Sequence, residues 1–543
     1  MSLYSTGPGL WFAIAGLACL PFLRPRWLVA PAVVLVAGSS FFLVTSWNPR
    51  REWVLWSPYQ KLTVRPTVLM DKGKAYLWGE QVYVNSTIYL QIVNYARSFI
   101  RAHEWFYRPA AQLPYDQYNL PYRFEDRPGN VLVVGAGAGN DVAGALRNGA
   151  THVTAVEIDP AIIAIGRRLH PEQPFSDPRV TVVIDDARSF FQRTHDRYDT
   201  IIFGLLDSHT LSSSYSNVRL DNYVYTLESF KEARRLLAPH GEMALFFQVM
   251  DPFIGARIFE MLGQTFGYQP LCLQVPPSPR GYGGSAFITG DMRTILGHVA
   301  RDPRLLAMAK MGPVRQWSAH PVAITTDDWP YLYLKDRSIP LQYWVVFGVL
   351  GTLWLIGSRL RPRSARALDP RFFFLGAGFM LLETKDVSSL ALLFGTTWTV
   401  NALVISAILI MALAANLVAG RLKGAALKPV YIGLFASLLL NLVFPLHWLS
   451  ALGSFPKELA AGWVMGLPIF FAGLAFSLAF SRCQDRSAAL ASNLLGAMVG
   501  GMLETLSFVI GIQGLLVVTT LLYAGSMIEP ARRARPVEAP LAT

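Results

Sequence analysis

The sequence predicts a parallel α/β sheet wound with helices on both faces, carried between membrane-spanning helices, two before it and about seven after. Three observations support that expectation. Apolar residues crowd at both ends of the 543-residue chain. In the middle, short runs rich in Val and Ile alternate with helical patterns. The first of those runs leads into a glycine-rich turn, the kind that lets backbone approach a ligand closely.

Composition agrees. Charged residues make up 15 % of the chain, where a soluble globular chain has about 25 %. Hydrophobic residues make up 52 % and the mean hydropathy is +0.33. These values exclude a disordered chain and a single small soluble domain. The net charge is +12, from 48 Lys and Arg against 36 Asp and Glu. The positive residues sit beside apolar stretches rather than in a patch with aromatics, so membrane lipids and not nucleic acid are the expected partners. Cys19, Cys272 and Cys483 form no pair with a redox or metal-ligand spacing, and neither a disulfide framework nor a metal is expected.

A spanning helix needs roughly 20 mostly apolar residues. Such runs lie near 9–23 and 27–46, then near 341–358, 372–395, 398–420, 429–447, 459–480, 488–509 and 512–527. The first run lacks a basic leading segment and a second follows at once, which reads as a retained helical hairpin. The chain thus divides into a hairpin at 1–47, a small β-rich subdomain at 48–125, a nucleoside-binding domain at 126–340, membrane helices at 341–528 and a basic tail at 529–543. Alternate loops hold most of the Lys and Arg, including Arg24 and Arg26, Arg359 to Arg371, Arg421 to Lys428, Arg482 and Arg486, and Arg532 to Arg535. By the positive-inside rule those loops and the C-terminus are cytoplasmic in an inner (plasma) membrane, and residues 48–340 are extracytoplasmic. A cytosolic nucleoside ligand would favour the opposite side.

Within the soluble middle, Lys61–Val68 and Gln81–Val84 read as strands separated by the turns Asp71-Lys72-Gly73 and Gly79-Glu80. Val131–Val134 is the first strand of the wound sheet. The turn Gly135-Ala-Gly137-Ala-Gly139-Asn140-Asp141 and a helix from Val142 follow it. Val153–Val156 ends at Glu157-Ile-Asp159-Pro160, and Val180–Ile184 ends at Asp185-Asp186. Thr200–Gly204 and Glu242–Gln248 complete the series. Ligands of such sheets sit beyond the carboxyl ends of the strands, where these glycines and acids stand. Gly135, Gly137, Gly139 and Asp141 line the turn, Glu157 is placed to accept from both ribose hydroxyls, and Asp159, Asp185 and Asp186 complete the set. The pattern specifies an adenosine without a required phosphate, hence S-adenosylmethionine or a derivative rather than a dinucleotide.

Residues 56–290 resemble the spermidine synthases, the polyamine aminopropyltransferases, with their small N-terminal β-domain. The residues that carry the resemblance are Trp56-Ser-Pro-Tyr-Gln60, Gly79-Glu-Gln81, the glycine turn, Val156-Glu-Ile-Asp159, Asp177-Pro-Arg-Val180, Asp185-Asp186, Tyr198-Asp-Thr-Ile-Ile202, Tyr225-Thr-Leu-Glu-Ser-Phe230 and Gly281-Tyr-Gly-Gly-Ser-Ala-Phe287. Thr326-Asp-Asp-Trp-Pro-Tyr331 and Leu381-Leu-Glu-Thr-Lys-Asp386 resemble the membrane-fused bacterial members. The resemblance implies a Rossmann-like methyltransferase fold and decarboxylated S-adenosylmethionine, whose aminopropyl group passes to an amine. It also implies Gln60 at the donor and Gln81, Tyr89, Gln91 and Tyr225 at the acceptor, with packing as the competing role for Tyr225.

Two departures matter. Where the family has an Asp after the Tyr-Asp-x-Ile-Ile strand, to deprotonate the attacking amine, this chain has Gly204. Where the family has the acidic stretch that holds putrescine, it has Asn85-Ser-Thr-Ile-Tyr89-Leu-Gln91. Amide and apolar groups do not balance a buried dication, so the expected acceptor is an amine or lipid-like amphiphile other than putrescine. Asp207, His209 and Asp221 are the candidate catalytic residues, as carboxylates and an imidazole just past the fourth strand. The competing roles are a helix N-cap for Asp207 and a solvated loop for His209. Asp327-Asp328 reads as a turn rather than a metal site.

Glu383, Lys385 and Asp386 fall in one apolar run and Glu504 in another. Ionisable groups at bilayer depth are costly and mark functional pockets or ion paths. The leading expectation is a membrane-embedded transferase of the aminopropyltransferase type, or a methyltransferase, which also admits a homo-oligomer. The alternative is a membrane transporter with an adenosine-binding sensor or a degenerate transferase domain.

Overall fold

The computed structural model describes residues 52–71, 73–84, 87–206, 223–313, 317, 321–360, 368–395, 398–422, 426–444 and 454–528, with scattered positions among the first fifty. The expected hairpin at 1–47 and the tail at 529–543 therefore fall largely or wholly outside the described residues. The chain divides into two compact units, Met1–Lys335 with Gly395–Thr399, and Asp336–Phe394 with Val400–Thr543.

The first unit begins with an antiparallel meander of four strands, β1 (Trp53–Trp56), β2 (Lys61–Asp71), β3 (Lys74–Val84) and β4 (Thr87–Val93), paired in chain order. Its alternating pattern buries Leu62, Val64, Val82, Val84 and Ile92 on one face. That face packs on Ala161, Ile162 and Ile165 of the following domain.

The wound sheet comprises β5 (Asn130–Val134), β6 (His152–Glu157), β7 (Val180–Ile184), β8 (Tyr198–Phe203), β9 (Leu237–Phe247), β10 (Leu271–Val275) and β11 (Gly284–Gly290). Across the sheet the order is β10-β11-β9-β8-β5-β6-β7. Strands β5 to β9 are parallel, and β11 runs antiparallel between β9 and β10. Val131, Leu132, Val133 and Val134 are all inaccessible, because helices cover both faces of a parallel sheet and alternation gives way to a continuous apolar run. The order reverses between β5 and β8. This is the Rossmann-like arrangement expected for residues 126–340, and the reversal fixes where a ligand crevice opens.

Helices α1 (Asn140–Arg147), α2 (Pro160–Leu169), α3 (Ala187–Arg193), α4 (Leu227–Arg235) and α5 (Pro252–Phe266) connect these strands. Side chains cap three of them. Asp159 accepts from Ala161 N for α2, Asp186 from Ser189 N for α3, and Thr226 from Ser229 N for α4. Asp327 anchors the chain before the second unit, accepting from Arg188 at 2.9 Å and from Thr226 Oγ1 at 2.7 Å. This is the turn role expected of Asp327-Asp328.

The second unit is helical: α6 (Leu341–Leu360), α7 (Pro370–Phe394), α8 (Trp398–Arg421), α9 (Leu427–Val443), α10 (Ser454–Ser481), α11 (Arg486–Leu503) and α12 (Gly514–Gly525). Among the described residues four apolar segments are long enough to cross a membrane, Leu341–Arg359, Val404–Arg421, Ala460–Ser481 and Arg486–Ile510, while Leu427–Val443 and Gly514–Gly525 are shorter. The run expected as one helix at 488–509 is broken, with a tight 3-10 turn at Glu504–Leu506 before a last helical turn at Ser507–Ile510. Helices α7 and α11 meet closely because Gly496 and Gly500 face the carbonyls of Phe373 and Ala377, where a Cβ would come within 1.9 Å and 2.4 Å. Asn493 Nδ2 donates to Phe372 O across the same contact at 3.2 Å.

Candidate functional site

The glycine turn leaves β5 at the reversal point of the sheet. Gly135, Gly137 and Gly139 have φ of 68°, 54° and 109°, a region that L side chains rarely adopt. Leu206 lies directly on Gly135, where a Cβ would stand 1.7 Å from Leu206 Cδ2. Above Gly137 the space is open, with Leu90 Cδ2 of β4 the nearest atom at 3.9 Å. A closed approach and an adjacent hollow are what a bound ligand needs from this turn.

Glu157, at the end of β6, faces the hollow. Its Oε2 accepts from Gly137 N at 2.8 Å and its Oε1 from Asp159 N at 3.0 Å. Each oxygen keeps a second lone pair for a ligand hydroxyl. Burial pushes its carboxyl up to about 7, against the pull of the two N–H donors. The other expected donor residues are more local in their work. Asp159 caps α2, and Ser57 and Gln60 lie near its carboxylate. Asp185 Oδ1 accepts from Asp186 N at 2.9 Å, its Oδ2 pairs with Arg193, and Asp186 caps α3. All three stand on the rim with Glu157, but as supports of the turns.

Asp141 is different. It sits in the first turn of α1, encased by the domain yet with partial solvent access, which is how a group lining an internal hollow stands. Burial pushes its carboxyl up to about 7. A Cβ built on Gly204 would lie 3.0 Å from Asp141 Oδ2. Gly204 follows β8 and Gly135 follows β5, so the carboxylate of Asp141 stands at the ends of these two strands, beside the place where Gly204 carries no side chain. The sequence reading grouped Asp141 with the donor contacts; the neighbouring Gly204 lies far along the chain and only the parallel pairing of β5 with β8 brings the two together.

Asn140 was passed over. Its Oδ1 accepts from Val93 N at 3.2 Å, and its Nδ2 donates to Gln91 O at 2.6 Å and to Tyr118 OH at 3.1 Å. His170 Nδ1 accepts from Glu172 N at 3.1 Å, which leaves its Nε2–H to point at Asn140 Oδ1, 3.3 Å away. This amide bolts β4 to the glycine turn. Its signal in the sequence was a polar residue at the start of a helix whose side chain is not the cap.

The acceptor residues divide. Gln91 is buried and donates to Pro279 O at 3.2 Å, and Gln81 accepts from Tyr83 OH at 2.8 Å. Tyr89 is half-buried on β4. Tyr225, expected at the acceptor, is instead a core residue, inaccessible and edge-on to Phe247 and Phe230; its apolar ring fills the space behind β9. Asp207, His209 and Asp221 lie outside the described residues, as do Asn85 and Ser86.

Residues 117–266 match the family model described as the spermine/spermidine synthase domain. Over this stretch the chain is similar to that domain. The polyamine aminopropyltransferase 1 of Streptomyces coelicolor is 29 % identical over 171 residues, 30 % of this chain and 28 % of that protein. The polyamine aminopropyltransferase of Synechococcus sp. is 34 % identical over 165 residues, 29 % of this chain and 49 % of that protein. The chain thus spans less than two thirds of the length of these curated relatives. A crystal structure of a spermidine synthase in complex with the transition state analogue AdoDATO covers 49 % of this chain and 87 % of its own, at 15 % identity and a TM-score of 0.34. The match to the family model ends at residue 266, before the helical second unit begins.

Proposed function

We propose that the synthase domain transfers an aminopropyl group from decarboxylated S-adenosylmethionine to an amine other than putrescine, with Asp141 as the general base. The observation that carries this reading is the Asp141 carboxylate beside Gly204 at the reversal point of the sheet. In the step, the acceptor nitrogen forms a bond to the carbon next to the sulfonium, and the carbon–sulfur bond breaks with its electron pair going to sulfur. The proton leaves the nitrogen for Asp141, and methylthioadenosine is released. A base with a pKa near the working pH is well matched to that proton transfer. Glu157 receives the ribose, and the open space over Gly137 receives the nucleoside. The amides Gln81 and Gln91, without a carboxylate in the segment Thr87–Val93, disfavour a dication at the acceptor end.

The apolar helices of the second unit support a multi-pass membrane location, and loop charge supports a cytoplasmic C-terminus with the synthase domain outside. Labelling of a His195→Cys variant in intact cells tests that sidedness, since His195 is exposed. Labelling only from the cytoplasm overturns the charge reading and leaves the transferase reading intact. For the activity itself, calorimetry on the purified full chain should show methylthioadenosine binding, and mass spectrometry should show aminopropylated product with an amine panel. Absence of binding by methylthioadenosine and by both forms of the donor overturns the proposal.

A further inference from the structure

Helix α7 carries three ionisable residues, Glu383, Lys385 and Asp386, within its apolar run. Lys385 and Asp386 are almost wholly buried, with the Lys385 Nζ 3.5 Å from Asp386 Oδ1. That separation exceeds the roughly 2.7–2.9 Å of a tight charge-assisted hydrogen bond. Beyond that ammonium, neither oxygen of Asp386 has a hydrogen-bond partner among the described residues. Such an oxygen pair is an unspent acceptor in apolar surroundings, where leaving it unmet is costly.

The helix contacts show what faces it. Gly525 lies against the Phe374 ring and Gly378 against the Tyr523 ring, so α12 runs antiparallel to α7. One turn before Tyr523, Thr519 then comes level with Leu382 and Glu383. Helical side chains lean toward their own N-terminus, which brings the Asp386 carboxylate to the same level. Tyr523 is within electrostatic reach of Asp386. Thr519 Oγ1 and Tyr523 OH are both inaccessible and without a hydrogen-bond partner. On the other side, α11 runs parallel to α7: Asn493 meets Phe372, Gly500 meets Ala377 and Gly501 approaches Met380. The next turn of α11 is Glu504, where the helix tightens into its 3-10 turn. A helix interrupted in the middle of an apolar segment is where membrane proteins place ligand groups.

We propose that this tier is a binding site for an alkylammonium group. The incoming amine takes the place of the Lys385 ammonium against Asp386, with the hydroxyls of Thr519 and Tyr523 accepting its remaining N–H donors. The site already holds an ammonium on a methylene stem, namely Lys385 itself, and Glu383, Asp386 and Glu504 together outnumber that one positive charge. Among the described residues no cluster of three His, Cys, Asp or Glu side chains is placed to hold a metal ion. The proposal is independent of the donor pocket, and methylthioadenosine binding does not bear on it.

The test is thermal unfolding of the purified full-length protein in detergent, titrated with butylammonium chloride or with sodium chloride at equal ionic strength. Butylammonium should raise the midpoint and sodium should not. Lys385→Met removes the internal competitor and should lower the apparent Kd for butylammonium at least tenfold. Asp386→Asn should abolish the shift while the protein still shows its methylthioadenosine binding or its unliganded unfolding transition. Equal shifts with sodium and butylammonium, no shift in both the wild type and Lys385→Met, or a shift retained in a folded Asp386→Asn protein each overturn the proposal.

Discussion

Both units of this chain bury carboxylates, and they hold them by different means. In the synthase domain Glu157 accepts from two main-chain N–H groups fixed by the glycine turn. In the helical unit Asp386 has, among the described residues, the ammonium of its neighbour Lys385 at 3.5 Å. A backbone donor cannot rotate away or be exchanged while the fold stands, so Glu157 is a fixed fitting. A side-chain ammonium can swing aside and be replaced. Asp141 stands between the two cases, beside Gly204 and raised to about 7 by burial.

The sharpest way to separate these roles is Asp141→Asn. It should leave methylthioadenosine affinity within about threefold, because Glu157 and the glycine turn are untouched, while kcat falls about 10²–10⁴-fold. In the wild type kcat should rise with pH through about 7, as Asp141 loses its proton, and that acidic limb should vanish in the variant. A loss of binding that matches the loss of rate would place Asp141 with the donor contacts instead. Next in size is the ion pair. Lys385→Met leaves a buried carboxylate uncompensated and should destabilise the protein by about 3–5 kcal/mol, and Lys385→Met with Asp386→Leu should recover most of it. Butylammonium should recover it in the single variant as well. If the single and double variants unfold alike, Lys385 and Asp386 are not coupled and the contrast between the two units fails.

A smaller effect probes the fixed fitting. Gly137→Val forces a branched side chain into a left-handed conformation and fills the space above the turn. Methylthioadenosine affinity should fall at least about 100-fold, close to 3 kcal/mol. Unchanged affinity would move the nucleoside away from this hollow.

How much of this could be read from the residues alone follows the same division. Val131–Val134, the glycine turn and Glu157 are local signals, because a strand, a positive φ and a strand-end acid are written within a few neighbouring positions. The succession of the strands along the chain and the apolar helices that follow residue 341 were legible for that reason. Asp141 beside Gly204, Asn140 across to Val93 and Gln91, and Asp386 level with Thr519 were not. Those depend on which strands pair and on which helix faces meet, and no spacing along the chain encodes them. Asp185 and Asp186 were legible as strand-end acids, yet their duty as cap and turn support depends on Ser189 N and Arg193, which a ligand-centred reading overlooks. Tyr225 was readable either as an acceptor residue or as packing, because a motif tyrosine reads the same whether its ring lines a pocket or packs on Phe247.

The smallest expected effect concerns a third kind of buried acid, one that lacks both fittings. Glu242 is inaccessible in β9 and neither of its oxygens has a hydrogen-bond partner. Burial and the nearby Glu125 raise its pKa well above the ordinary range. Glu125 accepts from Thr200 Oγ1 at 2.8 Å, and burial pushes it up to about 7. A carboxyl whose folded pKa is raised binds its proton more tightly in the native state than in the unfolded one. Its stabilising contribution is therefore complete below the unfolded value, about 4.3, and is lost as pH rises toward and through the raised folded value. The thermal midpoint of the full chain should fall between pH 5 and pH 8. Glu242→Gln, which fixes the uncharged form, should flatten that slope and raise the midpoint at pH 8 by a few degrees relative to the wild type. Asp141 and Glu157 contribute slopes of the same sign, so the variant should reduce the pH dependence without removing it. A wild-type midpoint that rises over this range would mean that Glu242 and Glu125 ionise in the folded protein more readily than in the unfolded chain, against the burial that surrounds them.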